Sequence, residues 1–155
     1  MAAGSAGKIS SDFAIRVFPT VIRVIAIIFI AFFCSAWALR TAGVVQPGSL
    51  SYALLRWGHD QDATENMLCS IYIVWGIFLW FAADDPAKNW LFINFTIVAN
   101  VAHCVTMVVM AIVMTGEHAH LLGDIPLILV CILPLMVLWL PVRRQITSAE
   151  GRTQQ

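Results

Sequence analysis

The chain is short of charge. Nine basic and nine acidic side chains make up 12% of its 155 residues, against about 25% in an ordinary soluble domain. Most of that charge clusters, leaving four gaps without any. They are 16 residues between Arg23 and Arg40, 18 between Glu65 and Asp84, 28 between Lys88 and Glu117, and 18 between Asp124 and Arg143. A second, soluble domain has no room beside them. A formal net charge of zero offers nothing to a phosphate backbone, so no nucleic-acid partner is expected. The four cysteines (Cys34, Cys69, Cys104 and Cys131) fall one to each gap, with no Cys-x-x-Cys spacing. Such thiols behave as small hydrophobes, and no disulfide framework is expected. Gly-x-Ser-x-Gly, the P-loop, Gly-x-Gly-x-x-Gly and His-Glu-x-x-His are all missing, and with them the enzyme classes they mark. Paired carboxylates inside the apolar runs, of the kind ion-coupled transporters use, are missing too. The chain therefore reads as a membrane protein without catalytic chemistry, and its cofactor, if any, is not named by a motif.

What remains is hydrophobic: 60% of residues, with a mean hydropathy of +0.83. A helix rises about 1.5 Å per residue and the hydrocarbon core is about 30 Å thick, so each gap with its flanks suffices for one crossing. Lipid offers no partner to backbone groups, and the runs alternate too poorly for barrel strands. The fold class is all-α, a four-helix transmembrane bundle. Residues 1–18 read as a tail, 19–142 as the membrane domain and 143–155 as a second tail. The first run exceeds a signal-peptide core and lacks a clear cleavage site after it, so it reads as a retained span.

Four spans put both ends on one side. That side carries Lys8, Arg16, Arg23, Lys88, Arg143, Arg144 and Arg152, and the other only Arg40 and Arg56. Seven against two places both termini in the cytoplasm and the protein in the cell inner (plasma) membrane, multi-pass. Trp80, Trp90 and Trp139 then mark the cytoplasmic interface, Trp37 and Trp57 the outer one, and Trp75 lies deeper.

Pro19 suits the first turn of helix one, which is expected to end near Ala42. Leu50 to Trp57 reads as a short amphipathic helix along the outer interface. Thr64 suits a cap for the next span, which Asp84, Asp85 and Pro86 stop. The short connection to Asn89 predicts an antiparallel hairpin with the Trp90 to Met114 span, with Gly76 allowing close approach. The last span starts at Asp124, holds Pro134 in its middle and closes at Pro141 and Arg143-Arg144.

Two groups of residues carry candidate chemistry. His59, Asp60, Asp62, Glu65, Glu117, His118, His120 and Asp124 all map to the outer connections. His118, His120, His59, Asp124 and Glu65 are candidate ligands for a divalent ion, weighed against a solvated acidic surface. The second group centres on His103, mid-span by count, where an ionisable group is costly. Thr96, Asn100, His103, Met107, Met110 and Met114 recur at helical steps and share a face. Tyr72 lies at a matching depth on the preceding span. His103, Met107, Tyr72 and Asn100 thus form a candidate cofactor set: a haem ligand, a soft-metal site or a proton relay, weighed against a packed neutral histidine hydrogen-bonded to Tyr72, Ser70 or a carbonyl freed by Pro134.

The stretch from Met67 to Met114 resembles a small bacterial membrane family of unknown function with four spans. Ile71-Tyr72, Gly76-Ile77-Phe78-Leu79, Ala82-Ala83, Pro86, Leu91, Phe95-Thr96 and His103 with its following methionines carry the resemblance. Asp85 and Asn89 depart from the family pattern around the loop proline. The resemblance implies a shared Tyr72–His103 pattern and an inner-membrane setting, and no activity. The function classes are an accessory or assembly subunit, a redox or sensing cofactor or metal binder at His103, and a small-solute transporter. The partners are the lipid bilayer and a membrane protein or second copy.

The orientation has a direct test. Reporters fused after Gln155 and within residues 43–64 should fall on opposite sides, the first in the cytoplasm. A periplasmic C-terminus would reverse the assignment.

Overall fold

The computed structural model describes residues 11–56 and 62–153. They form α1 (Ser11–Thr41), α2 (Leu50–Leu55), α3 (Asp62–Ala82), α4 (Trp90–Val113), a 3-10 turn (Glu117–Leu121) and α5 (Asp124–Thr153). No strand occurs among the described residues. Four helical segments, α1, α3, α4 and the 3-10 turn running into α5, are long and apolar enough to cross a membrane. The protein is thus an all-α membrane protein.

α1 is the central element. Its Phe18, Ile22, Ile25, Ala26 and Phe29 meet Tyr72 and Leu79 of α3 and Leu135 and Trp139 of α5 in one buried cluster. α4 packs mainly on α5, where Cys104, Met107 and Ala111 surround Ile125. In lipid, water does not drive this association; close packing and polar contacts do. The helices alternate in direction. One end of the bundle holds the start of α1, the residue 83–89 connection and the end of α5. There Arg23 pairs with Asp84 at 2.7 Å and Arg143 lies over Trp90. The opposite end, called here the α2 end, holds α2 and the 3-10 turn.

The α3–α4 connection is locally determined. An Asp85 side-chain oxygen accepts from the Lys88 backbone N–H at 3.1 Å, and the Asp85 carbonyl accepts from Asn89 Nδ2 at 2.9 Å. That backbone N–H, and then the Lys88 side chain, hold the Asp85 carboxyl below the ordinary carboxylate range. Ser49 caps α2 by accepting from the Tyr52 N–H at 3.1 Å.

Several boundaries differ from expectation. α1 begins at Ser11, so Pro19 lies inside it. The lost hydrogen bond is outweighed by packing: Ala14 and Phe18 are fully buried, and Phe18 stacks on Trp139 at 5.2 Å. α5 likewise continues through Pro141 and Arg143-Arg144, because Val142 is buried and Ile146 packs against the same cluster. α3 starts at Asp62, two residues before Thr64, so Thr64 is in the first turn and not the cap. Trp139 packs inside the bundle instead of presenting its ring to the surroundings. It is buried, and its Nε1 donates to Asn94 Oδ1 at 2.7 Å.

Gly76 brings the main correction. A Cβ there would meet Ile30 Cγ1 at 2.8 Å, the Ala26 carbonyl at 3.0 Å and Phe29 Cβ at 3.2 Å, all on α1. The close approach is α3 on α1, not α3 on α4. A short connection makes two helices neighbours at one end; it does not make them pack along their length. Gly76→Leu should lower stability by about 1–3 kcal/mol through overpacking, measured as detergent-phase unfolding. Ile30→Ala should recover part of that loss, and a variant as stable as the parent would remove the contact.

Candidate functional site: a cavity between the spans

α3 and α4 touch through their halves distant from the α2 end. Trp75 donates to Thr96 Oγ1 at 2.9 Å and stacks on Phe95, and Phe78 lies against Phe92. Tyr72 OH makes a long contact with Asn100 Oδ1 at 3.4 Å, while Asn100 Nδ2 donates to the Thr96 carbonyl at 2.9 Å. Toward the α2 end the two helices part, and a cavity of about 360 Å³ fills the space bounded by α1, α3, α4 and α5. Phe29, Phe33 and Tyr72 form one wall, with Met107, Ile128 and Cys131 across from them. Leu54 of α2 closes it above, seated against Gly123, where a Cβ would come within 2.7 Å of it.

The opening is read from exposure. Among the lining residues only Thr64, Leu68, Thr106 and Met114 are exposed. Two belong to α3, one to α4 and one to the residue that ends α4. The cavity therefore opens sideways between α3 and α4 and toward the α2 end.

The candidate set around His103 converges here. His103, Tyr72 and Met107 line the cavity, with the His103 and Tyr72 ring centroids 5.7 Å apart. Asn100 is fully buried just behind, against Tyr72. The expected hydrogen bond from His103 to Tyr72 is not formed. The Tyr72 hydroxyl is turned to Asn100, and His103 makes no hydrogen bond among the described residues. The imidazole is half-buried and faces the cavity. Met110 and Met114 line the same space, so the sulfur-bearing face of α4 is a cavity wall.

Among the described residues the candidate metal ligands do not form one group. His59 lies outside the described residues, and His118 is exposed. No group of three or more His, Cys, Asp or Glu among the described residues has the geometry to hold a metal. Instead, His120 and Glu65 belong to a buried ion network. Glu65 Oε2 lies 3.5 Å from Arg40 Nη1 and 3.2 Å from Arg56 Nε. Arg40 Nη2 also donates to Asn66 Oδ1 at 3.1 Å and to Cys69 Sγ at 3.0 Å. Arg56 rests on the Tyr52 ring and accepts, through its backbone carbonyl, from His120 Nε2 at 2.9 Å. His120 Nδ1 faces Asp124 Oδ1 at 3.0 Å, and its Nε2 also lies 3.2 Å from Glu117 Oε2. Both ring nitrogens face acceptors, an arrangement that the imidazolium satisfies fully because it donates from each. When His120 is protonated, it and the two arginines balance Glu65, Glu117 and Asp124.

Arg40 and Arg56 were legible only as two charges on the sparsely basic side. The signal for their burial was their position: each closes an apolar stretch, and Glu65 begins the next.

A profile for a family of unknown function, DUF6632, matches residues 24–152. The chain belongs to this family. No curated protein and no solved structure matches the chain. The matched region takes in the cavity, the network and all but the first turns of α1.

The network sets a stability expectation. Glu65→Leu would leave two buried guanidiniums without their shared carboxylate and should cost about 3–5 kcal/mol. Chemical unfolding in detergent measures it; a loss near zero would show that the pairs contribute nothing to the fold.

Proposed function

We propose that this chain acts by binding, as a multi-pass protein of the inner (plasma) membrane with both termini in the cytoplasm. Its ligand is a small lipophilic molecule held between the spans. The cavity with its side opening between α3 and α4 carries this reading. Its size falls at the lower end of the about 300–1,000 Å³ of small-molecule sites, and its walls are apolar and aromatic with few polar groups, as such sites are. An opening onto hydrocarbon admits a ligand already dissolved in the bilayer. The seven-to-two distribution of basic residues supports the orientation, and with it an opening in the outer leaflet.

The residues have separable roles. Phe29, Phe33 and Tyr72 present ring surface to the apolar body of the ligand. Tyr72 is fixed by Asn100 on one side and by stacking on Phe33 at 4.3 Å on the other. His103 contributes one hydrogen-bonding edge in an otherwise oily wall. Leu68 and Met114 stand at the opening.

A second reading follows from His103 and the methionines that share its cavity: an imidazole beside three thioethers is a soft donor set suited to Cu(I) or to a metal-bearing cofactor. Metal analysis and a visible spectrum of the purified chain separate it from the first reading, which requires neither metal nor colour. An accessory role beside a partner protein is compatible with both.

The test uses full-length protein in detergent and a scintillation proximity assay with tritiated oleyl alcohol and tritiated oleic acid. At least one should bind saturably. Leu68→Trp, at the exposed edge of the opening, should reduce that binding about tenfold or more while unfolding as the parent does. Absence of saturable binding of either compound would overturn the reading.

A further inference from the structure

The walls of the cavity indicate what kind of molecule it holds; this inference rests on the ligand-binding reading above. The charged residues on the cavity, Arg40, Glu65 and Asp124, each have an ionic partner: Arg40 faces Glu65, and Asp124 faces His120. None of them calls for a charged ligand. His103 differs. It lines the cavity, makes no hydrogen bond among the described residues, and its ring nitrogens keep accessible surface. An imidazole carries an N–H donor in either protonation state, so the partner it lacks is an acceptor. Tyr72 does not supply one, because its hydroxyl is turned to Asn100. His103 also lies deep. Met114, at the mouth, follows it by eleven positions, about 16 Å along α4 at the rise of a helix. A carboxylate or phosphate does not leave water for such a place without a charged partner.

The rest of the surface suits a flat ring. Phe29, Phe32 and Phe33 of α1 and Tyr72 of α3 line one side. Phe33 and Tyr72 lie nearly parallel, with 17° between their planes and 4.3 Å between their centroids. From α4 come the thioethers of Met107, Met110 and Met114. Rings pack on rings by offset stacking or edge to face, and thioether sulfur makes favourable contacts at ring edges. Both walls thus favour a conjugated ring over a saturated chain. We infer that the cavity takes a lipophilic quinone, with a ring carbonyl accepting from the His103 imidazole and the side chain leaving through the α3–α4 opening. Each part follows from a separate feature. The carbonyl supplies an acceptor without bringing a charge. The ring meets the aromatic and thioether walls. A volume of about 360 Å³ is at the low end for small-molecule sites and suits one ring system. The side opening, edged by Leu68, leaves an isoprenoid chain outside the cavity.

The same proximity assay tests the class, on the full chain in detergent, with whichever of the two tritiated labels binds and with unlabelled competitors. Duroquinone is a quinone ring with no open ring carbon for the thiols of Cys69 and Cys131 to attack. Hexamethylbenzene has nearly the same shape, with methyl groups in place of the two oxygens. Corrected for partition into the micelles, duroquinone should displace the label at about tenfold lower concentration, the value of one hydrogen bond. His103→Leu should remove the difference between the two competitors. His103→Met, an apolar and more adaptable side chain, serves where the leucine variant does not fold, and should remove it as well. Equal displacement by duroquinone and hexamethylbenzene in the parent overturns this inference while the ligand-binding reading, which rests on saturable binding of the label, stands. Without saturable binding of either label both fall. A difference that survives in the His103 variant overturns the assignment to His103. Decanone, an open chain with one carbonyl, competing as well as duroquinone overturns the ring assignment.

Discussion

The ion network around Arg56 is the constraint on which the α2 end of this bundle depends. Its side chain meets Glu65 of α3, which also faces Arg40 of α1. Its carbonyl meets His120 of the 3-10 turn, which in turn faces Asp124 of α5. One residue at the end of a six-residue helix thus connects three of the long helices. Apolar side chains have no comparable means of doing so in a membrane. Hydrocarbon is as good a neighbour for leucine as another leucine is, and helices gain little from apolar contact alone. A buried charge, by contrast, must find its partner or carry a penalty of several kcal/mol. The polar groups therefore determine which helices meet at this end, and the apolar residues fill in around them.

The two ends of the molecule are held by different forces. At the end with the termini, tight packing dominates: Phe18 on Trp139, Ala14 fully buried, and Gly76 letting α3 approach α1. At the α2 end, the network holds α3 against α1 and α2 against the 3-10 turn, and it includes no residue of α4. Nothing among its described contacts draws α4 toward α3 there. The hairpin closed by Asp85 and Lys88 accordingly splays, in contact at Trp75–Thr96 and apart beyond Tyr72. The cavity is a consequence of where polar partners lie.

Much of the bundle could be read from the sequence, because charge scarcity is a strong signal in lipid. The four long helices, the short α2 and the start of α5 all follow from it. The shared face of Tyr72, Asn100, His103 and Met107 was also legible, since helical spacing determines which residues look the same way. Partner choice was not. Gly76 announces a close approach, and only the three-dimensional arrangement shows that the approaching helix is α1. His118 and His120 are two apart, a spacing read as an extended loop. The 3-10 turn instead buries His120 and exposes His118. Pro19 and Pro141 look like ends when read locally; burial of Phe18 and Val142 overrides them. Helix ends and pairings thus fail for one reason: both depend on long-range packing, which periodicity does not encode.

A gap in a protein core normally costs stability, because its walls lose contacts that no atom replaces. On the proposed reading the α3–α4 cavity is different, because it would open onto the bilayer. Lipid chains would occupy it when nothing else does, and the empty-void penalty would not arise. What an ordinary chain cannot supply is a partner for the His103 imidazole, which faces the cavity. The apolar walls would make the cavity tolerable in the membrane, and that polar edge is what would distinguish one occupant from the surrounding lipid. Specificity in such a site therefore rests on the few side chains that hydrocarbon leaves unsatisfied.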